Sequence, residues 1–172
     1  MRASSVDLWD AIAGEAVAES PLWAEALLPE DAREHLPVFS PLLAESRFAL
    51  GLETIYEGYL LHYGRPRLFA PGDGHNALLL GDYLYAHGLV RVAAHDDVDA
   101  VADLAALISL CAQLRADGDG GDGGAWAATA ALLGSAPLSD ARGADELAAS
   151  ARAAAGANPV AAALSLHAAR VG

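Results

Sequence analysis

Several short stretches combine residue types that could do chemistry. His95-Asp96-Asp97-Val98-Asp99, followed by Asp103, has the composition of a divalent-cation site. Asp96, Asp99 and Asp103 fall on one helical side, but they also fall in the first turns of a helix. Carboxylates there satisfy free backbone N–H groups and favour the helix dipole, which is the reading preferred here. Asp117-Gly-Asp119-Gly-Gly-Asp122 has the look of a calcium loop, but the twelfth position, where an acid is required, is Ala128. Glu53 and Glu57 stand four apart on one helix face. Neither has a histidine three residues later, as a carboxylate-bridged di-iron bundle would require, so a solvated face or a partner for Arg47 or Arg65 is expected. His62, His75 and His87 lack the spacing of a metal site. Asp82 stands inside the apolar run ALLLGDYLYAHGLVRVA, where a carboxylate needs hydrogen-bond partners if it is buried. No nucleophile elbow, phosphate loop, zinc spacing or dinucleotide fingerprint is present.

These residues must be placed by helices. β-Branched residues are sparse, no two-residue alternation is sustained, and the long segments have a helical period. Ser4 or Ser5 can cap a first helix with Leu8, Ile12 and Ala16 on one stripe. Pro21 suits the first turn of a short second helix. Ser40-Pro41 signals the start of a helix of about six turns, 41–63, ended by Gly64-Arg65-Pro66. A helix over 75–94 follows, and Asp96-Asp97 caps a third long one. The run DGDGGDGG, 117–124, reads as a flexible linker. Shorter Ala-rich helices follow it: AWAATAALLG, a segment from Ser139 or Asp140 to Ala155, and one opened by Asn158-Pro159. The expected fold is an all-α antiparallel bundle, one domain over 1–172, with Trp9, Trp23 and Trp126 in packing roles.

Composition narrows the function classes. The 172 residues carry 23 acids against 10 arginines and no lysine, a formal charge of −13. Such a surface repels nucleic-acid phosphates and anionic lipid. No apolar run reaches the roughly 18 residues of a membrane span. The single cysteine, Cys111, rules out an intrachain disulfide and reads as a small buried hydrophobe. With acids inside what would be the apolar part of a signal peptide, the expected location is cytoplasmic.

Two of the long segments resemble a known family. NALLLGDYLYAHGLVRVA, 76–93, resembles the stretch of trans-isoprenyl diphosphate synthases (polyprenyl synthetases) with the pattern A-x-L-x-G-D-Y-L-x-A-x-A. LGLETIYEGYLLHYGRP, 50–66, is similar to that family's E-L-I-H-x-x-x-L-x-H stretch. Leu61-His62 corresponds to the pair preceding the first aspartate motif, and Gly64-Arg65-Pro66 to a remnant of R-R-G-x-P. The resemblance spans about residues 45–118. It implies an isoprenoid-synthase-like bundle around a cavity, with Tyr59, His62, Asp82, Tyr83 and His87 as the candidate ligand-binding set. The departures are specific. The first D-D-x-x-D motif is deleted where His62-Tyr63 runs into Gly64, the second is missing, and so is the lysine of G-K-x-x-R-P. Without carboxylates to place magnesium, a diphosphate leaving group is not stabilised. No catalytic residue, metal or cofactor is therefore expected. The implied role is a noncatalytic one: an accessory subunit of a catalytic prenyl synthase, a homodimer, or a module holding a prenyl lipid. The rival reading is a helical interaction or oligomerisation protein with no link to isoprenoids. An acid–base enzyme on the same scaffold would need Asp82, His87 or His62 to converge.

Overall fold

The computed structural model describes residues 7–139 and 143–171. They form eight α-helices: α1 Leu8–Glu19, α2 Pro21–Ala26, α3 Ala49–Tyr63, α4 Gly74–Ala93, α5 Val98–Asp117, α6 Asp122–Ala131, α7 Ala144–Ala155 and α8 Ala157–Val171. The described residues contain no strand, only an isolated antiparallel bridge between Leu27 and Phe69. The all-α expectation holds.

The helix ends are largely where capping chemistry puts them. Asp7 caps α1, its Oδ1 accepting the Trp9 N–H at 2.8 Å. Ser4 and Ser5 lie outside the described residues, as does Asp140. Ser20 caps α2 ahead of Pro21, Asp73 caps α4, and Asp97 caps α5. The last of these fulfils the capping reading of the acidic cluster. Asp103 serves a different backbone: its Oδ2 accepts the Gly134 N–H at 2.6 Å, pinning the turn that follows α6.

Two expectations are corrected. The third helix starts at Ala49 rather than Pro41. Ser40–Leu42 and Ser46–Phe48 are single 3-10 turns. Phe39 and Leu42 are drawn into the core, and the Val38 and Ser40 N–H groups donate to Glu53, which holds this segment against α3 instead of in line with it. The run 117–124 is no linker. Gly118, at φ 72°, closes α5, and Gly121, at φ 104°, turns the chain into α6. Asp122, Gly123 and Gly124 form the buried first turn of α6. Left-handed backbone is what glycine supplies cheaply, so the glycines make a tight corner.

α3 is the central helix. Every residue from Gly51 to Leu61 is buried, so it is covered on all sides. α4 packs antiparallel along it, with Gly51 beside Gly88 and Val92, and Gly58 beside Gly81. A Cβ on Gly58 would lie 2.8 Å from the Gly81 carbonyl oxygen, and one on Gly88 would lie 2.9 Å from that of Gly51. The two backbones thus meet directly, leaving no lumen between α3 and α4. A prenyl chain bound by this protein would have to lie elsewhere.

On the other side of α3, α6 is buried along its whole length. Trp126 stacks on Phe39 at 5.5 Å between centroids and meets the edges of Tyr56 and Tyr59. α7 and α8 close over α6, with Leu147, Ala151, Val160 and Ala163 turned inward.

The glycine contact predicts opposite signs for one substitution at two sites. Gly88→Ala should lose about 2 kcal/mol or more, because the added carbon meets Ile55 and fixed backbone. Gly14→Ala in α1 meets nothing within 4 Å and should gain up to about 1 kcal/mol. Urea unfolding midpoints of the two variants check both.

Candidate functional site

Two knots of polar side chains organise the interior around α3. In the first, the Arg67 guanidinium is fully buried between two glutamates of α3. Its Nη1 donates to Glu53 Oε2 at 2.6 Å and its Nε to Glu57 Oε2 at 2.9 Å. Nη1 also reaches the Leu36 carbonyl, and Nη2 the Glu53 carbonyl. The remaining carboxylate oxygens are used too. Glu57 Oε1 accepts the Arg67 and Leu68 N–H groups, both at 2.8 Å. Glu53 Oε1 accepts those of Val38 and Ser40. Trp9 and Tyr56 cover the guanidinium, 4.7 and 5.0 Å from ring centroid to Cζ. Burial opposes the charge, but the two carboxylates outweigh it and raise the arginine further. The knot carries a nominal charge of −1, spread over four backbone donors.

The second knot joins α3, α5, α6 and α8. Asp122 Oδ2 accepts from Arg115 Nε and Nη2 at 3.0 and 2.7 Å, and also from the Tyr59 hydroxyl. His167 lies with Nε2 3.5 Å from Asp122 Oδ1, an electrostatic contact without hydrogen-bond geometry. Its Nδ1 is 2.9 Å from the Tyr56 hydroxyl. Burial alone would raise the Asp122 carboxyl. His167, Tyr59 and Arg115 together hold it well below the usual carboxylate range. Burial, reinforced by the Asp122 charge, pushes the Tyr59 hydroxyl far up.

Carboxylate, imidazole and phenol in sequence resemble a proton relay. Yet Tyr56, Tyr59 and Trp126 are fully buried, so the two phenols are closed to solvent. Burial also pushes Tyr56 up, which disfavours the phenolate a nucleophile or base would need. The chain of groups orders the core. Cys111 is equally sealed, its thiol pushed up to about 12 by burial.

The five residues expected to form a ligand site are dispersed. Tyr59 belongs to the second knot. His62 and Asp82 meet across α3 and α4, Nε2 to Oδ1 at 3.1 Å, with the His62 ring stacked on Tyr85. Burial lowers His62 although Asp82 opposes it, and the Asp82 side chain is 71% exposed. Tyr83 and His87 stack on each other further along, on the side facing α1 and α2. There His87 and Arg91 both contact Glu15, and Tyr83 lies against Trp23. Burial alone would raise Glu15, but His87 and Arg91 hold it below its ordinary value. The acid–base reading required convergence of Asp82, His87 and His62; only the first and last meet. Among the described residues no group of three or more His, Cys, Asp or Glu side chains could hold a metal ion.

The residues of the two knots that sequence reasoning missed are Arg67, Arg115, Asp122 and His167. Asp122 was hidden in a glycine-rich run. Arg67 had one usable signal, its place in the apolar segment RLFA beside a helix that offers Glu53 and Glu57 on one face. Those two glutamates were read as solvated or paired with Arg47 or Arg65; the structure pairs them with Arg67.

A cleft of about 480 Å³ lies at the carboxyl end of α3, between the 64–71 segment and Leu28–Glu34. None of the five expected residues lines it.

No protein-family model matches the sequence. No curated protein and no solved structure shows significant similarity to it.

Three measurements check this assignment. Arg67→Met should cost about 3–5 kcal/mol, because it strands two buried carboxylates; thermal unfolding reads the loss. Because folded Asp122 is held below its unfolded value, its contribution is complete above about pH 4 and is withdrawn as the pH falls further. Asp122→Asn should therefore lower the melting temperature at pH 7 and flatten its fall below pH 4. Finally, Cys111 should react with a disulfide reagent only at the rate of unfolding, and rapid labelling in native buffer would contradict its burial.

Proposed function

We propose that the protein is a noncatalytic helical assembly subunit that works by binding a second protein surface through α4 and α5. One observation carries this reading: the exposed faces of α4 and of the middle of α5 are almost free of charge on a chain of net charge −13, the exposed acids of α5, Asp99 and Asp117, lying at its two ends. Along α4 the exposed positions include Leu78, Leu79, Asp82, Ala86 and Val90, with Val90 64% exposed. Along the middle of α5 they are Ala102, Ala105, Ala106, Ser109 and Ala112. Asp82 is the single charge among them, and it is paired with His62.

Size agrees with such a role. Each helix has 20 residues, so it is about 30 Å long. Two side by side offer roughly 600 Å², near the lower end of a stable interface per partner. The self-repulsion of a strongly acidic protein is least where charges are missing, so a second copy of this chain is the occupant favoured here. The resemblance of α3 and α4 to prenyl synthase helices favours a second occupant for the same face, a catalytic prenyl synthase. The reading of the protein as an accessory subunit rests on that likeness.

Light scattering after size exclusion tests the proposal. Twice the chain mass at micromolar concentration is expected, falling to one chain in Val90→Glu and Ala106→Glu with melting temperatures unchanged. Copurification of a full-length prenyl synthase, lost in the same variants, would assign the face to that partner. A monomer that recovers no partner would overturn the assembly role.

A further inference from the structure

We propose that the cleft beside the 64–71 segment binds a small amphipathic carboxylate, its apolar body in the cleft and its head group on Arg65. The volume of about 480 Å³ falls in the range of small-molecule sites. Leu28, Leu61, Phe69 and Pro71 supply apolar walls, and Glu34 and Arg65 stand among the lining residues. Phe69 is held in place by backbone bonds on either side of it, Leu28 N–H to the Leu68 carbonyl at 2.9 Å and Ala70 N–H to the Ala26 carbonyl at 2.7 Å. The wall is therefore preformed.

The head-group end has a local excess of positive charge in an otherwise acidic protein. Arg65 Nη1 donates to Glu34 Oε1 at 2.8 Å, and the buried Arg170 donates to Glu34 Oε2 at 2.6 Å. Two guanidinium groups share one carboxylate, leaving a net charge of +1. Arg170 is fixed further, by donation to the Arg65 carbonyl at 3.2 Å. Arg65 is the accessible member, with 61% of its side chain exposed. Only one of its guanidinium nitrogens is engaged among the described residues. A guanidinium edge suits a planar carboxylate, which it can grip with two parallel bonds. One positive charge matches a monoanion. A multiply charged phosphate group would leave its extra charge beside Glu34, on a protein already strongly negative.

Isothermal titration of the full chain with octanoate, octan-1-ol and acetate tests the site. Octanoate should bind at one site, and octan-1-ol and acetate at least about tenfold more weakly. Arg65→Gln, an exposed change, should bring octanoate to the level of octan-1-ol. Ala77→Phe, which fills the cleft from α4, should abolish binding of both. No octanoate binding, equal binding of octan-1-ol, or binding unaltered by both variants would overturn the proposal. The cleft is lined by none of the α4–α5 face positions, so oligomeric state measured on the same samples reports separately on the assembly role.

Discussion

The fold depends on one fully buried guanidinium, that of Arg67. Arg67 lies outside any helix, yet its guanidinium joins two turns of α3, the carbonyl of Leu36 and the indole of Trp9. The glutamates that neutralise it also hold the backbone of Val38, Ser40, Arg67 and Leu68. Three segments of chain, 36–40, α3 and 67–68, are thus set by one set of bonds, with Trp9 of α1 packed on it. Removing charges from water costs several kcal/mol each, and a hydrophobic replacement of the whole set could be as stable. What the ions supply that leucines would not is direction. Each carboxylate accepts from particular N–H groups, so the irregular 34–48 segment has one way to lie on α3. Beyond two single 3-10 turns, that segment has no helix or strand of its own to satisfy its backbone.

The regular elements were legible in the sequence because their signals are local. Asp73, Asp97, Ser20 and Pro21 act within a turn of their own positions, and the helical period is a property of neighbouring residues. The Ser40-Pro41 signal failed for a non-local reason. It is a good helix start, and it does begin a turn, but Glu53, thirteen residues on, accepts the Ser40 N–H at 3.1 Å and holds the turn folded back against α3. The glycine-rich run failed in the opposite way. Composition said flexible, whereas Gly118 and Gly121 occupy left-handed corners and Asp122 is anchored by groups from three other helices. Two of the partners of Asp122, Tyr59 and His167, are distant in sequence, so no window could show them. The same holds for the five residues expected around a ligand: two helix segments placed them on one pair of elements, but their side chains leave α3 and α4 in three directions.

The interior divides its labour by side-chain size. Where α3 meets α4, glycines bring backbones together, and polar pairs such as Arg91 with Thr54 and His62 with Asp82 lie at the margins of that contact. Where α3 meets α6, large aromatic rings fill the space and a few polar atoms fix their orientation. Phe39, Tyr56, Tyr59, Trp126 and His167 form one continuous set of ring contacts. Alanines on α6 let that set approach from one side and the short helices α7 and α8 from the other. This explains an alanine content that would otherwise seem to leave the core thin.

The bond between His167 and Tyr56 spans 111 residues, and that between Arg170 and Glu34 spans 136. During synthesis, therefore, most of the chain exists before its core can close. Until α8 is made, Tyr56, the Asp122 carboxylate and the aromatic set lack a wall, and the partly grown chain exposes them. Such late, distant pairings make folding slow relative to a bundle of neighbouring hairpins. They also leave intermediates open to association. The strong negative charge then has a use before the native state exists: it keeps unfinished chains apart.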